Sequence, residues 1–369
     1  LKLNLNIANK KEWLVKEVPV IISGPCSVES EEQVLDTVQQ ITSNNRIDII
    51  RGGIWKPRTR PNSFEGIGEV GLSWLKKAGE AVNLPVATEV ANAEHVELCL
   101  KNNIDILWIG ARTTVSPFAV QEIADALKGV DIPIFVKNPI NPDLNLWIGA
   151  LERLNAAGIN RLGAIHRGFS SFDKSSYRNA PMWELPIELK ILCPDLPIIC
   201  DPSHIAGSRD LLYTVSQKAL DLEMDGLMIE SHFNPSIAKS DAEQQVSPDD
   251  LTIIINQLKV RTSGSSNKDF TNKLEELRAV IDELDQELIN KFASRMDLIE
   301  KIGSFKKENG VTILQIERWE EIIKNRTFLA EKAGLSNDFI KKLLEIVHQE
   351  SIRLQTKVMN NSSILGDSK

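Results

Sequence analysis

Pro133-Ile134-Phe135-Val136-Lys137-Asn138 is a short run, apolar at most positions, that stops at a lysine. A strand with one wet face alternates apolar and polar residues, so a near-continuous apolar run fits a strand covered on both sides. Seven more runs of this kind surround it: Val18–Ser23, Ile47–Gly53, Pro85–Val90, Ile106–Ala111, Arg161–Phe169, Pro197–Asp201 and Gly226–His232. They recur about every 30 residues, the length of one βα unit. Between them, stretches such as Glu31–Ile41 and Ser208–Leu220 carry apolar residues at helical spacing. Eight such units in about 250 residues predict an α/β fold, a closed (β/α)8 barrel of the TIM type, with an open doubly wound sheet as the alternative. No Gly-x-Gly-x-x-Gly follows the first run, which weakens a dinucleotide-binding reading.

Beyond the last unit the pattern changes. Arg261-Thr262-Ser263-Gly264-Ser265-Ser266-Asn267-Lys268 reads as a flexible linker, placing the barrel at 1–261, the linker at 262–269 and a separate tail at 270–369. From about residue 270 to 358 there is no proline and little sign of strand. Leu274, Leu277, Ile281, Leu284, Leu288, Phe292, Ile299 and Ile302 mark one helix running to about Lys307. A second is expected over Ile316–Lys332 and a third over Asn337–Val358. At ~1.5 Å per residue the first exceeds ~50 Å, so its apolar stripe calls for a partner chain. The tail is therefore expected to be an all-α, three-helix, intertwined dimer.

The composition excludes several classes. The 369 residues are 42% hydrophobic and 25% charged, with 43 Lys+Arg against 51 Asp+Glu and a net charge of -8. This acidic balance disfavours general binding to nucleic acid or anionic lipid. No apolar run reaches the ~20 residues that span a bilayer. Cys26, Cys99, Cys193 and Cys200 are too few and scattered for a disulfide framework. With no signal-peptide core at the start, a cytoplasmic location is expected.

In barrels of this kind chemistry gathers at the C-terminal ends of the strands. Read in order, those ends carry Cys26, Arg51 with Lys56 and Arg58, Glu89, Arg112, Lys137, His166 with Arg167, Asp201 with His204, and Glu230. Cations concentrated there in an acidic protein point to a small polyanionic ligand, since Arg and Lys suit phosphate and carboxylate. Cys26 closes run one, His204 follows run seven, Glu230 ends run eight and Asp241 lies just beyond. In a closed barrel the first and last strands pair, so these four converge. A thiolate, an imidazole and two carboxylates suit a divalent ion such as Mn, Fe, Co or Zn. Taken singly, each has a plainer reading: a buried thiol, a satisfied loop histidine, a surface aspartate.

The ordered motifs Ser23-Gly24-Pro25-Cys26-Ser27, Arg51-Gly52-Gly53, Lys56-Pro57-Arg58-Thr59, Gly110-Ala111-Arg112, Val136-Lys137-Asn138-Pro139, His166-Arg167-Gly168, Asp201-Pro202-Ser203-His204 and Ser240-Asp241 carry a resemblance. They resemble the 3-deoxy-D-arabino-heptulosonate 7-phosphate (DAHP) synthases of the compact type, related to 3-deoxy-octulosonate 8-phosphate synthases. The resemblance spans about residues 18 to 261. It implies metal-dependent condensation of phosphoenolpyruvate with erythrose 4-phosphate at the entry to the shikimate pathway of aromatic amino acid biosynthesis. It also implies Cys26, His204, Glu230 and Asp241 as metal ligands, and Arg51, Lys56, Arg112, Lys137 and Arg167 as the phosphoenolpyruvate cage. Arg58 and Thr59 would take the aldose phosphate, and Lys56 would shuttle a proton. The Lys56-Pro57-Arg58-Thr59 motif favours the heptulosonate reading, because octulosonate enzymes typically carry an Ala-Asn-Arg version. Arg60 and Thr113 depart from the usual residues beside these motifs.

Leu274-Glu275-Glu276-Leu277-Arg278, Ile281 to Asp285, Arg295, Gly303, Lys306, Gln315, Arg318, Ser351 and Gln355 are similar to the all-helical chorismate mutases. That resemblance implies that Arg278 is donated by the other protomer. Arg295, Lys306, Gln315, Arg318, Ser351 and Gln355 would complete the chorismate pocket, with Arg295 and Lys306 as catalytic groups. On spacing alone, charges on a long helix are more often a solvated face. Trp319 stands where many relatives carry a carboxylate, and Gln315 where some carry aspartate. The expectation is a bifunctional homodimeric enzyme in which chorismate, or its product prephenate, bound to the tail lowers the barrel's activity. The rivals are a silent sensing tail, a scaffold-only tail and an octulosonate-phosphate synthase barrel.

Overall fold

The computed structural model describes residues 3–14, 19–58, 63–172, 176–262 and 264–360. The chain divides into two compact units, Leu1–Ser263 and Gly264–Lys369. In the first, eight strands close a barrel in sequence order: β1 (Val20–Gly24), β2 (Ile49–Arg51), β3 (Val86–Val90), β4 (Ile106–Ile109), β5 (Ile134–Lys137), β6 (Leu162–His166), β7 (Ile198–Cys200) and β8 (Gly226–Glu230). Every neighbouring pair is parallel, and closure comes from β1 on β8 with Gly24 opposite Glu230.

Alternation along the strands builds two apolar layers. Ile22, Ile49, Ala87, Trp108, Phe135, Ile165, Ile199 and Met228 fill the barrel, while Ile21, Ile50, Val86, Leu107, Ile134, Leu162 and Leu227 face the helices. At the N-terminal end of the barrel, Trp13 packs on Phe135 with ring centroids 5.8 Å apart. Side-chain caps start many of the helices: Ser30 accepts from Gln33 N, Asn92 from His95 N, Asp143 from Leu146 N and Asp201 from His204 N.

Several strands end two or three residues before their apolar runs do, β6 and β8 among them. β6 stops at His166, because the left-handed Gly168 (φ +77°) turns the chain and Phe169 pairs with Ala180. β8 stops at Glu230, after which Ser231 bridges Val246 in the loop beyond.

Gly24 is required by geometry. Its φ is +150°, and a Cβ there would sit 2.1 Å from the Arg51 carbonyl oxygen, which is backbone. Gly24→Ala is therefore expected to destabilise the barrel by about 3 kcal/mol or more, combining backbone strain with overpacking, as measured by urea denaturation. An unchanged midpoint would show that the β1 to β2 approach tolerates a side chain at position 24.

The second unit holds three helices, Lys268–Glu308, Ile316–Lys332 and Asn337–Asn360. The first begins inside the stretch read as linker, because Asn267 caps it by accepting from Asp269 N and Phe270 N. The first and third helices pass closely at Gly303, where a Cβ would lie 3.4 Å from Gln355 Cα and Val358 Cβ. Much of the apolar stripe has no cover among the described residues of this unit: Leu277, Leu284 and Leu288 are each more than half exposed (53%, 54% and 54%). No described helix is long and apolar enough to cross a membrane.

Candidate active site

Strand parity decides which side chains enter the barrel mouth. Arg51, Glu89, Lys137, Asp201 and Glu230 each stand two residues beyond an inward apolar side chain (Ile49, Ala87, Phe135, Ile199 and Met228) and so point inward as well. His166 has the opposite parity, one residue after inward Ile165. It is fully buried against Phe169 and Trp183, ring centroids 5.8 and 5.1 Å away, and burial, with Arg167 beside it, lowers its pKa to about 3. His166 is thus a neutral packing residue, although its strand-end position suggests a site group.

A cavity of about 560 Å³ opens at the C-terminal ends of the strands, lined by Lys56, Arg58, Glu89, Arg112, Lys137 and Arg167 together with Arg178, Asn179, His204 and Asp241. Buried in the barrel mouth, Arg51, 1% exposed, places Nη1 3.1 Å from Glu230 Oε1 and donates from Nη2 to the Cys26 carbonyl at 3.2 Å. Lys137 donates to Asp201 Oδ2 at 2.9 Å, and both Arg51 and Lys137 lie over the Trp108 ring, 5.1 and 5.5 Å from its centroid. Arg167 donates to Asn179 Oδ1 at 2.9 Å, Arg112 to the Pro57 carbonyl at 2.7 Å and Arg58 to the Phe64 carbonyl at 2.9 Å. Burial lowers Arg167 to about 10, which leaves it charged at neutral pH. Thr59 lies outside the described residues.

The closing β1–β8 pair sets up the donor cluster. Single donor atoms of Cys26, Glu230 and Asp241 all lie within 4.8 Å of one another. Cys26 Sγ is 3.3 Å from Asp241 Oδ2 and 3.0 Å from Lys56 Nζ. His204 lines the same cavity but is not within that three-donor group: its Nδ1 is 2.8 Å from Asp201 Oδ2 and 3.9 Å from Glu230 Oε1. Burial and Glu230 push the Cys26 thiol up to about 12. Burial also raises the carboxyl of Asp201, but His204 and Lys137 outweigh it and hold the group well below the usual carboxylate range. Glu230 Oε1 is buried and accepts no well-aligned hydrogen bond. A carboxylate oxygen held by charge rather than by an aligned hydrogen bond, beside a thiol and a second carboxylate, fits a divalent ion, which would take the thiolate form of Cys26.

Arg178, Asn179 and Gln244 belong to this site without having been singled out from the sequence. Arg178 Nη1 pairs with Asp241 Oδ1 at 3.2 Å and donates to Gln244 Oε1 at 2.7 Å. These residues sit in loops rather than at strand ends. The one available signal is the proximity of Gln244 to Asp241 in sequence.

In the tail, Arg295 Nη1 donates to Ser351 Oγ at 2.7 Å, and Lys306 Nζ to the Ile313 carbonyl at 2.6 Å. Gln355 is 6% exposed, and its Oε1 has no hydrogen-bond partner among the described residues. Trp319 stacks on His348 with centroids 3.9 Å apart, and burial, then Arg295 and Lys306, lower the His348 pKa. Gln315 occupies the N-cap of the second helix without a side-chain cap bond. Arg278 pairs with Glu275 at 2.7 Å and Arg318 with Glu321 at 2.5 Å, both on exposed helix surface. One chain therefore joins Arg295 to Ser351 but leaves Arg278 and Arg318 in local surface pairs.

Residues 12–264 match the DAHP synthetase I family, and residues 277–356 match chorismate mutase type II. The chain is 31% identical over 226 residues to a phospho-2-dehydro-3-deoxyheptonate aldolase of Thermotoga maritima, covering 61% of this chain and 64% of that protein. A crystal structure of a DAHP synthase from Thermotoga maritima is similar with a TM-score of 0.58 at 27% identity, covering 66% of this chain and 71% of the other. A 2-dehydro-3-deoxyphosphooctonate aldolase of Francisella tularensis is 26% identical over 261 residues, covering 64% of this chain and 87% of that protein. The tail is 40% identical over 82 residues to a T-protein of Haemophilus influenzae, covering 22% of each chain.

Proposed function

The chain belongs to the DAHP synthetase I family, and from that membership we propose that its barrel condenses phosphoenolpyruvate with erythrose 4-phosphate, releasing DAHP and phosphate. The observation that carries this reading is the ring of cations around a cavity lined also by His204 and Asp241, with Cys26 and Glu230 clustered on Asp241.

Phosphoenolpyruvate brings two to three negative charges out of water, and several fixed cations must replace its hydration. Arg51, Arg112, Lys137 and Arg167 are arranged to do so, while Arg58, with Thr59 next to it in sequence, takes the aldose phosphate. Cys26, His204, Glu230 and Asp241 would hold a divalent ion, Mn, Fe, Co or Zn, which supplies Lewis-acid polarisation of the aldehyde carbonyl when bound. The cage aims C3 of the enol at that carbonyl, and the first carbon–carbon bond forms there. Lys56, next to the cluster at 3.0 Å from Cys26 Sγ, delivers the proton to the new alkoxide. Water then adds at C2 of the former enol, and phosphate leaves by C–O cleavage.

For the tail we infer rearrangement of chorismate to prephenate by a homodimer. The uncovered Leu277, Leu284 and Leu288 stripe is the face a second copy would bury, and Arg278 would reach the partner's pocket. Arg295, Lys306, Gln315, Arg318, Ser351 and Gln355 would hold the two carboxylates and the ether oxygen. The same pocket would take prephenate as a feedback inhibitor of the synthase. Residues 1–261 and 270–369 are the two catalytic domains in this reading, joined by 262–269. All the substrates are soluble, which suits a cytoplasmic enzyme.

The similarity to an octulosonate aldolase favours one alternative, a barrel that takes arabinose 5-phosphate. Lys56-Pro57-Arg58-Thr59 argues for the shorter aldose. Metal-reconstituted protein given phosphoenolpyruvate and each sugar in turn is expected to release phosphate with erythrose 4-phosphate at least about tenfold faster, a difference of ~1.4 kcal/mol in transition-state binding. A preference for arabinose 5-phosphate would overturn the heptulosonate reading.

A further inference from the structure

Each carboxylate of the donor cluster has one oxygen held by a loop residue outside it. Glu230 Oε2 accepts from Gln244 Nε2 at 2.6 Å, while its Oε1, 3.1 Å from Arg51 Nη1, carries no aligned hydrogen bond. Asp241 Oδ1 pairs with Arg178 Nη1 at 3.2 Å, while its Oδ2 faces Cys26 Sγ at 3.3 Å. The same Arg178 nitrogen donates to Gln244 Oε1 at 2.7 Å. One continuous chain, Asp241–Arg178–Gln244–Glu230, thus joins the outer edges of the two acids.

We propose that Arg178 and Gln244 are positioning residues: an outer brace that turns one oxygen of Asp241 and one of Glu230 toward a divalent ion. The chemistry of the chain leaves little freedom. Arginine only donates and a carboxylate only accepts, so the amide between them must face its oxygen to Arg178 and its nitrogen to Glu230. Glutamate at 244 would repel Glu230, and lysine would repel Arg178. Gln244 is 1% exposed, so the bond to Glu230 is shielded from water. Outer partners of this kind fix ligand orientation before the ion arrives, and their loss typically weakens metal affinity on the order of 10- to 100-fold.

The inference rests on the metal site proposed above, and the test separates the two. The full chain, freed of metal, is titrated with Co²⁺ while the thiolate-to-cobalt absorption band is followed. Arg178→Gln is the main variant, since its remaining carbons still cover Gly207, beside which the Arg178 side chain packs. Its Co²⁺ dissociation constant is expected to rise about 10-fold or more with the melting temperature of the metal-free protein little changed. Arg178→Lys, which keeps the charge but not the planar fork, should fall between that variant and wild type. Gln244→Glu should weaken binding too, and the double variant should lose less than the product of the two single losses, because both cut one chain. Unchanged or tighter Co²⁺ binding by Arg178→Gln overturns the brace, as does a loss of melting temperature without a loss of affinity. A wild-type chain that gives no thiolate band removes the metal site itself, and the brace with it.

Discussion

Cys26→Ala is expected to reduce phosphate release from phosphoenolpyruvate and erythrose 4-phosphate by at least about a thousandfold, some 4 kcal/mol of transition-state stabilisation. The thiol is fully buried at the junction of the first and last strands and contacts both Lys56, at 3.0 Å, and Asp241, at 3.3 Å. Alanine removes a donor from the three-donor cluster and leaves the Lys56 ammonium with the Cys26 carbonyl, 3.1 Å away, as its remaining contact there. The structural penalty is much smaller, about 1 kcal/mol for a truncated buried side chain of this size. A large kinetic loss with a small stability loss is therefore the signature of a site residue. The tail supplies an internal control, because it is a separate compact unit, and mutase turnover in the same preparation should be unaffected. Retention of more than a tenth of the synthase rate would show that the thiol is a packing group and that the cluster does not carry the chemistry.

The barrel was readable because burial on both faces writes a strand as an apolar run, and eight such runs at unit spacing leave few alternatives. The five inward strand-end groups were readable for a related reason: a residue that ends a buried strand either enters the mouth or packs outward. Parity distinguishes the two, and applied to His166 it would have placed that side chain outward, next to Phe169 and Trp183. The brace was not readable. Arg178 meets Asp241 across 63 positions and Gln244 across 66, and neither side chain lies on a strand whose period would fix its direction. Loop residues take their orientation from long-range partners, which a single sequence does not specify. The tail's helices were legible almost to the residue, since a 3.6-residue stripe and a lack of proline dictate them. Its pocket was legible only in part. Spacing cannot tell that Arg295 reaches Ser351 while Arg278 and Arg318 rest on neighbouring glutamates.

That division shapes the second large effect, in the tail. Lys306→Ala is expected to lower mutase turnover by about a thousandfold, the scale on which one donor aimed at developing charge contributes. An intramolecular rearrangement needs neither nucleophile nor metal; it needs a compact conformer and a cation where the ether oxygen gains charge. Lys306 suits that task because it is tethered rather than freely waving: its Nζ donates to the Ile313 carbonyl at 2.6 Å. Trp319, stacked on His348, offers no anionic contact to a substrate hydroxyl, which places still more of the work on the cations. The variant should keep the basal synthase rate and lose inhibition by prephenate, since in the proposed reading both effects would pass through one pocket. Wild-type-like turnover by Lys306→Ala would place the mutase chemistry elsewhere. A wild-type tail that binds prephenate without turning over chorismate would make the domain a sensor, with Lys306 then measured by prephenate affinity instead of rate.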